Sequence, residues 1–152
     1  MTRDQIRARL NDRDALIATL LGEAAAEPIE GQIAVACVIR NRALHPRWWG
    51  TGYAGVCLKQ LQFSCFWEDN ANSDRVYALA EHLLERRPLG GGVLPQLAWI
   101  AEGIIGDQIL DRTKGADHYL TTRLLESGHA PAWADATPVA VIASHTFFRL
   151  EI

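Results

Sequence analysis

The chain has 152 residues, 49% of them apolar and 22% charged, which suits one ordinary globular domain and excludes both a two-domain protein and a disordered chain. Its formal charge is −3, from 15 Lys+Arg against 18 Asp+Glu, so a surface built to neutralise nucleic-acid phosphates is not expected. No apolar run approaches the ~18 residues of a membrane span, and the expectation is one domain over 1–152, monomeric, with no stable membrane anchor and no nucleic-acid partner.

The opening MTRDQIRARLNDRD is charged and has no apolar segment ending in a small-residue cleavage site. It does not read as a secretory leader, and synthesis in the cytoplasm is expected. Asp14 reads as the N-cap of a helix over 15–27, where Leu16, Ile17, Leu20 and Leu21 recur at helical spacing. Pro28 ends it. Residues 31–44 follow, apolar on every side from Ile33 to Ile39, as in a central buried helix. The β-branched Ile33, Val35, Val38 and Ile39 leave strand as the competing reading, and the polar Arg40-Asn41-Arg42 end favours helix.

Residues 45–73 read as irregular and aromatic, with Trp48, Trp49, Tyr53, Phe63, Phe66 and Trp67. Asp74 reads as the cap of a third helix over 75–86, closed by Pro88 and Gly90-Gly91-Gly92, and 95–105 as a fourth helix. The last third changes period. Segments 116–122 and 139–151 are rich in β-branched and aromatic residues and read as two strands separated by a loop at Gly128 and Pro131. A helical body with a small antiparallel β-element from the C-terminal third is an α+β layout. Of the adjacent Phe147 and Phe148, alternation places one in the core.

Three glutamates, Glu23, Glu27 and Glu30, fall within eight residues. Glu23 and Glu27, four apart, share a face if the helix continues. Glu23 follows the apolar Leu20-Leu21, and a carboxyl where an apolar face meets a helix end is desolvated, which raises its pKa toward the ~6 of a glycosidase general acid. The plainer alternative is three solvated acids at helix ends. Gln32, one turn into the buried helix, needs a hydrogen-bond partner inside the fold or on a ligand.

The stretch GEAAAEPIEGQIAVACVIRNR (22–42) resembles the signature of the SleB-type cell wall hydrolases, E-A-x-x-E-P-x-E-G-Q-x-A-V-A-x-V-x-x-N-R. QFSCFW (62–67) is similar to the family's Q-F-S-x-W region with one residue more before the tryptophan. TKGADHYL (113–120), PAWA (131–134) and IASHTFFR (142–149) resemble its later segments. The likeness spans about 14–150 and is weakest over 85–110. It implies a lysozyme-like, lytic-transglycosylase-like domain that cleaves peptidoglycan between N-acetylmuramic acid and N-acetylglucosamine, with Glu23 as the single catalytic glutamate and no metal or cofactor. Glu27 and Glu30 would then orient the turn into the next helix, with Glu27 also a candidate for the cleft.

The glycan strand is the partner this resemblance implies. Gln62, Phe63, Ser64 and Trp67 on a loop, with His118, Tyr119 and Thr121 on a strand, offer the aromatic faces and polar groups that sugar rings require. Phe63 and Trp67 have an alternative as core residues. Hydrolysis and anhydro-forming transglycosylation both remain open, since hydrolysis calls for a second carboxylate and only Asp69 and Asp117 stand near matched motifs. A phage or prophage endolysin, released through a lesion made by another protein, fits the expected cytoplasmic origin.

Other chemistries are also readable. Gln62, Cys65 and Trp67 with His118 echo a cysteine peptidase. His118 and His145, with Asp111 or Asp117, would give a zinc amidase if they met across paired strands, although no H-x-x-x-H spacing occurs. A glycan-binding domain without catalysis is the non-enzymatic reading. Cys37, Cys57 and Cys65 form no C-x-x-C pair, and a Cys57–Cys65 bridge runs against a reducing compartment.

Overall fold

A computed structural model describes residues 1–152 and has an α+β architecture. In chain order the helices are α1 (Arg3–Arg9), α2 (Asp12–Ala24), α3 (Ile29–Leu44), α4 (Gly52–Cys57), α5 (Ser64–Trp67), α6 (Ala71–Leu84) and α7 (Leu94–Ile105). Strand β1 (His118–Thr121), helix α8 (Thr122–Glu126), a 3₁₀ turn (Ala132–Asp135) and strands β2 (Ala140–Ile142) and β3 (His145–Phe148) complete it. No helix is long and apolar enough to cross a membrane.

Asn11, not Asp14, caps α2: its side chain accepts the Asp14 N–H at 2.8 Å. Asp14 sits in the first turn, where a negative charge meets the positive end of the helix. The helix stops at Ala24 rather than running to 27. Pro28 has no N–H to extend the ladder and biases Glu27 away from helical geometry. Glu23 therefore ends one helix while Glu27 lies in the connection, and the two do not share a helix face.

Pro28 opens α3, its carbonyl accepting from Gly31 and Gln32. The run from Ile33 to Ile39 is helical and buried on every side, packed by α2, α4, α7 and the sheet. Gln32 is satisfied inside the fold: Gln96 Nε2 donates to its Oε1 at 2.5 Å.

Residues 45–73 contain two short helices that periodicity does not show, α4 and α5. Tertiary contacts fix them. Asp12 accepts the Ala54 N–H at 2.9 Å, and the fully buried Trp49 donates its indole N–H to the carbonyls of Arg42 and His45 at the end of α3. α5 lies so close to α2 that a Cβ on Gly22 would stand 2.5 Å from Cys65 Cβ, so glycine is needed there. Asn70 rather than Asp74 caps α6, and Asp74 pairs with Arg3 at 2.6 Å. α7 begins one residue before the expected start at Pro95.

The sheet has order β1-β3-β2, both pairs antiparallel. The expected strand over 139–151 is a hairpin, turning at Ala143 (φ +50°) and Ser144. Thr122 starts α8 instead of ending a strand, because the Thr121 hydroxyl accepts the Leu124 N–H. Both faces of β3 are covered, so both phenylalanines are core residues. Phe147 packs on Ala34 and Val38 of α3, and Phe148 packs on Leu120 and Ala134. All three cysteines are free thiols.

Candidate functional site

A cleft of about 550 Å³ runs between the end of α2, the loop before α5 and the edge strand β1. Glu23 is the only carboxylate lining it. No protein N–H or O–H donates to that carboxyl, which is mostly sheltered in the last turn of α2. Burial, followed by the nearby charge of Glu68, pushes its pKa from 4.5 to about 7. Three of the last four α2 carbonyls accept hydrogen bonds, Leu21 from Arg75, Gly22 from Asn72 and Ala24 from the Glu27 N–H, and none of these donors reaches the Glu23 carboxyl. Glu23 is thus a carboxyl able to hold a proton near neutral pH.

The opposite wall is held by the end of α3. Asn41 Nδ2 donates to Asp111 and to the Ala116 carbonyl, at 3.1 and 2.9 Å, and Arg42 Nε donates to the Asp117 carbonyl at 2.6 Å. Asp111 in turn accepts from Thr113 and Gly115, closing the loop that leads into β1. Asp117 is fully buried. It accepts the backbone N–H groups of Leu150, Glu151 and Ile152 at 2.7–3.0 Å, and its Oδ1 holds His118 Nδ1 at 2.9 Å. Burial alone would raise this carboxyl, yet the hydrogen bonds outweigh it and hold the pKa below the usual range. Asp117 is a clamp and does not reach the cleft; Asp69, the other expected partner, lies with Trp67 beside α1.

Glu27 acts behind the wall. It accepts the backbone N–H and the hydroxyl of Ser144, at 3.1 and 2.9 Å, and so ties the α2–α3 connection to the hairpin turn. The approach is tight: a Cβ on Gly31 would meet Ala143 and Glu27 at 3.1 Å. His145 Nδ1 lies 3.0 Å from Glu27 Oε1 but outside hydrogen-bond geometry. Glu30 is exposed in the first turn of α3.

Of the residues expected to bind sugar, Gln62, Phe63, His118, Tyr119 and Thr121 line the cleft with Glu23. Ser64 and Trp67 do not. The single turn of α5 carries Trp67 to the far side, where Arg7 lies 4.2 Å over its ring. The structure adds Arg42, Trp48, Leu120, Leu124, Trp133 and His145 to the cleft. Trp48, Trp49 and Trp133 surround His118, with Trp133 nearest at 5.0 Å between ring centroids. Several of these stood in segments that resemble the family, but only tertiary contact shows that they converge. Tyr119, beside Glu23, has its phenol pushed well above its ordinary pKa by burial and then by the Glu23 charge, so it is a neutral hydroxyl.

The peptidase and zinc constellations do not assemble. Cys65 is 1% exposed, and burial pushes its thiol well up, with Glu23 adding to the effect, so no thiolate forms. His118 pairs with Phe148 and His145 with Thr121, and strand alternation turns the two histidines to opposite faces of the sheet. Asp111 and Asp117 are consumed in backbone contacts, and no three His, Cys, Asp or Glu side chains cluster as a metal site would require.

Comparison with curated proteins and with solved structures returns no match. The family model described as Cell Wall Hydrolase matches residues 26–148, from the connection after α2 to the end of β3, beginning just past Glu23. That match takes in α3, the loop it holds and the whole sheet, and the chain belongs to the cell wall hydrolase family.

Proposed function

We propose that the protein cleaves the glycan strand of peptidoglycan between N-acetylmuramic acid and N-acetylglucosamine, with Glu23 as general acid and then base. One observation carries this reading: a sheltered carboxyl with no donor, raised to about 7, is the lone carboxylate of a cleft rimmed by indole, phenol and amide groups. Protonated Glu23 gives its proton to the glycosidic oxygen as the bond to the muramoyl C1 breaks. Two-carboxylate mechanisms place a second acid ~5–9.5 Å away across the substrate. Glu27 and Asp117 are engaged elsewhere, and Glu68, whose charge reaches Glu23, does not line the cleft but lies with Trp67 and Asp69 and accepts from Asn70, which favours a nucleophile supplied by the sugar. The muramoyl C6 hydroxyl then attacks C1 and returns its proton to Glu23, leaving a 1,6-anhydro ring and the regenerated acid.

Mass spectrometry of muropeptides released from purified sacculi tests this directly. The anhydro product is lighter than the hydrolysis product by one water, about 18 Da. A reducing muramoyl end instead would mean that Glu23 activates water. Release of free stem peptides without glycan scission would overturn the reading.

A further inference from the structure

The structure assigns a substrate-selecting role to Arg42: we propose that its two free Nη groups receive the lactyl carboxylate of a muramoyl residue. The protein then prefers strands whose stem peptides have been removed. The proposal rests on the wall-glycan reading for its ligand, and its chemistry of recognition is independent of how the strand is cut.

Arg42 is 8% exposed, yet only its Nε has a partner, the Asp117 carbonyl. No acceptor meets either Nη, and no carboxylate comes within ion-pair distance. The contrast is Arg40, two residues earlier and 5% exposed, whose Nη1 donates to the Ile109 carbonyl at 2.5 Å and stands 3.7 Å from Asp107. Buried charges are normally paired, and a guanidinium that is half satisfied and faces a cleft lacks the partner that a ligand supplies. Neighbouring anions are already engaged: Asp117 holds three amides and His118, and Glu151 accepts the Trp48 indole N–H at 2.8 Å. The guanidinium is also fixed in place, its Cζ 5.2 Å from the Trp49 ring and 5.5 Å from Trp48.

The ligand follows from the chemistry of the strand. Hydroxyl and acetamido groups are neutral. The one carboxylate carried on a wall sugar is the lactyl ether of the muramoyl ring, ionised when no peptide is attached and a neutral amide when one is. A planar fork of N–H donors matches a carboxylate with two parallel hydrogen bonds. Trp48, 47% exposed beside Arg42, offers its face to the same ring.

The test uses peptide-free muramoyl strands and the same strands with the lactyl carboxyl reduced to an alcohol. Binding is read from tryptophan fluorescence in the Glu23→Gln protein, and cleavage from KM and kcat of the unaltered protein. Reduction is expected to weaken binding and raise KM at least tenfold with kcat little changed, peptide-bearing strands should behave as the reduced ones do, and Arg42→Gln should erase the preference. Equal binding of both strands overturns the assignment, as does a preference that survives Arg42→Gln. Selective binding without cleavage of either strand would leave Arg42 in place and sink the cleavage reading; equal cleavage would do the reverse. If Arg42→Gln does not fold, the paired strands on the unaltered protein decide alone.

Discussion

Glu23 at the end of α2 and Asp117 just before β1 are both carboxylates withdrawn from water, and they end in opposite states. Glu23 meets no donor, so desolvation governs, with the charge of Glu68 adding to it, and its proton is retained to about 7. Asp117 is more deeply buried, yet three backbone N–H groups and His118 meet it, and it stays ionised below the usual range. Burial alone therefore does not make an acid; burial without donors does. The same side-chain chemistry gives a reactive group at one position and a structural knot at the other.

The largest effect expected from breaking this contrast is on activity. Glu23→Gln keeps size and shape and removes the transferable proton, so glycan cleavage should fall by about 10²–10⁴-fold while the circular dichroism spectrum is unchanged. Activity of the unaltered protein should also decline as pH rises through about 7, where Glu23 loses its proton. A turbidity assay on sacculi checks both, and full activity in Glu23→Gln would remove Glu23 from the mechanism.

The next effect is on stability. Asp117→Ala strips the acceptor from the Leu150, Glu151 and Ile152 amides and frees His118, and should cost on the order of 3 kcal/mol in denaturant unfolding.

The two carboxyls should also impose opposite pH slopes on stability. Glu23 binds its proton more tightly folded than unfolded, so between its ordinary 4.5 and about 7 the native state holds the extra proton and stability falls as pH rises. The full span is worth up to about 3 kcal/mol, reduced by water in the cleft, and Glu23→Gln should recover it above pH 7. Asp117 is depressed, so its contribution is present above about pH 4 and disappears as acid protonates it. Thermal unfolding across pH 3–8 for the two variants separates the slopes.

The sequence shows the half of this contrast that is local. Glu23 follows an apolar run and precedes Pro28, and its desolvation near a helix end can be read from that order, although the expected helix runs to 27 and the actual one stops at Ala24. The central helix, the fourth helix and the α+β layout are legible for the same reason, since long periodic or β-branched stretches announce themselves. The clamp at Asp117 is not legible, because its donors lie more than 30 residues along the chain and are backbone groups without sequence identity. Asp14 and Asp74 read as caps, yet an asparagine three or four residues earlier supplies the acceptor in each case, since the sequence holds two residues fit to cap each helix. Trp67 follows the same logic. Its motif places it in a sugar-binding segment, but one turn of α5 rotates it onto Arg7.

Glu27 lies between the two extremes and gives the smallest expected effect. It has donors, as Asp117 does, but only from Ser144, and it borders the cleft through His145 as Glu23 borders it directly. Glu27→Gln keeps an acceptor for one Ser144 contact and gives up the charge facing His145, so it should cost about 1 kcal/mol. If Glu27 only tethers the hairpin turn, kcat should drop severalfold with the pH dependence of cleavage unmoved, since Glu23 keeps its own surroundings. A shifted pH profile in Glu27→Gln would instead mean that its charge is felt at the reacting carboxyl, and the division between proton carrier and structural carboxylate would have to be redrawn along the whole α2–α3 connection.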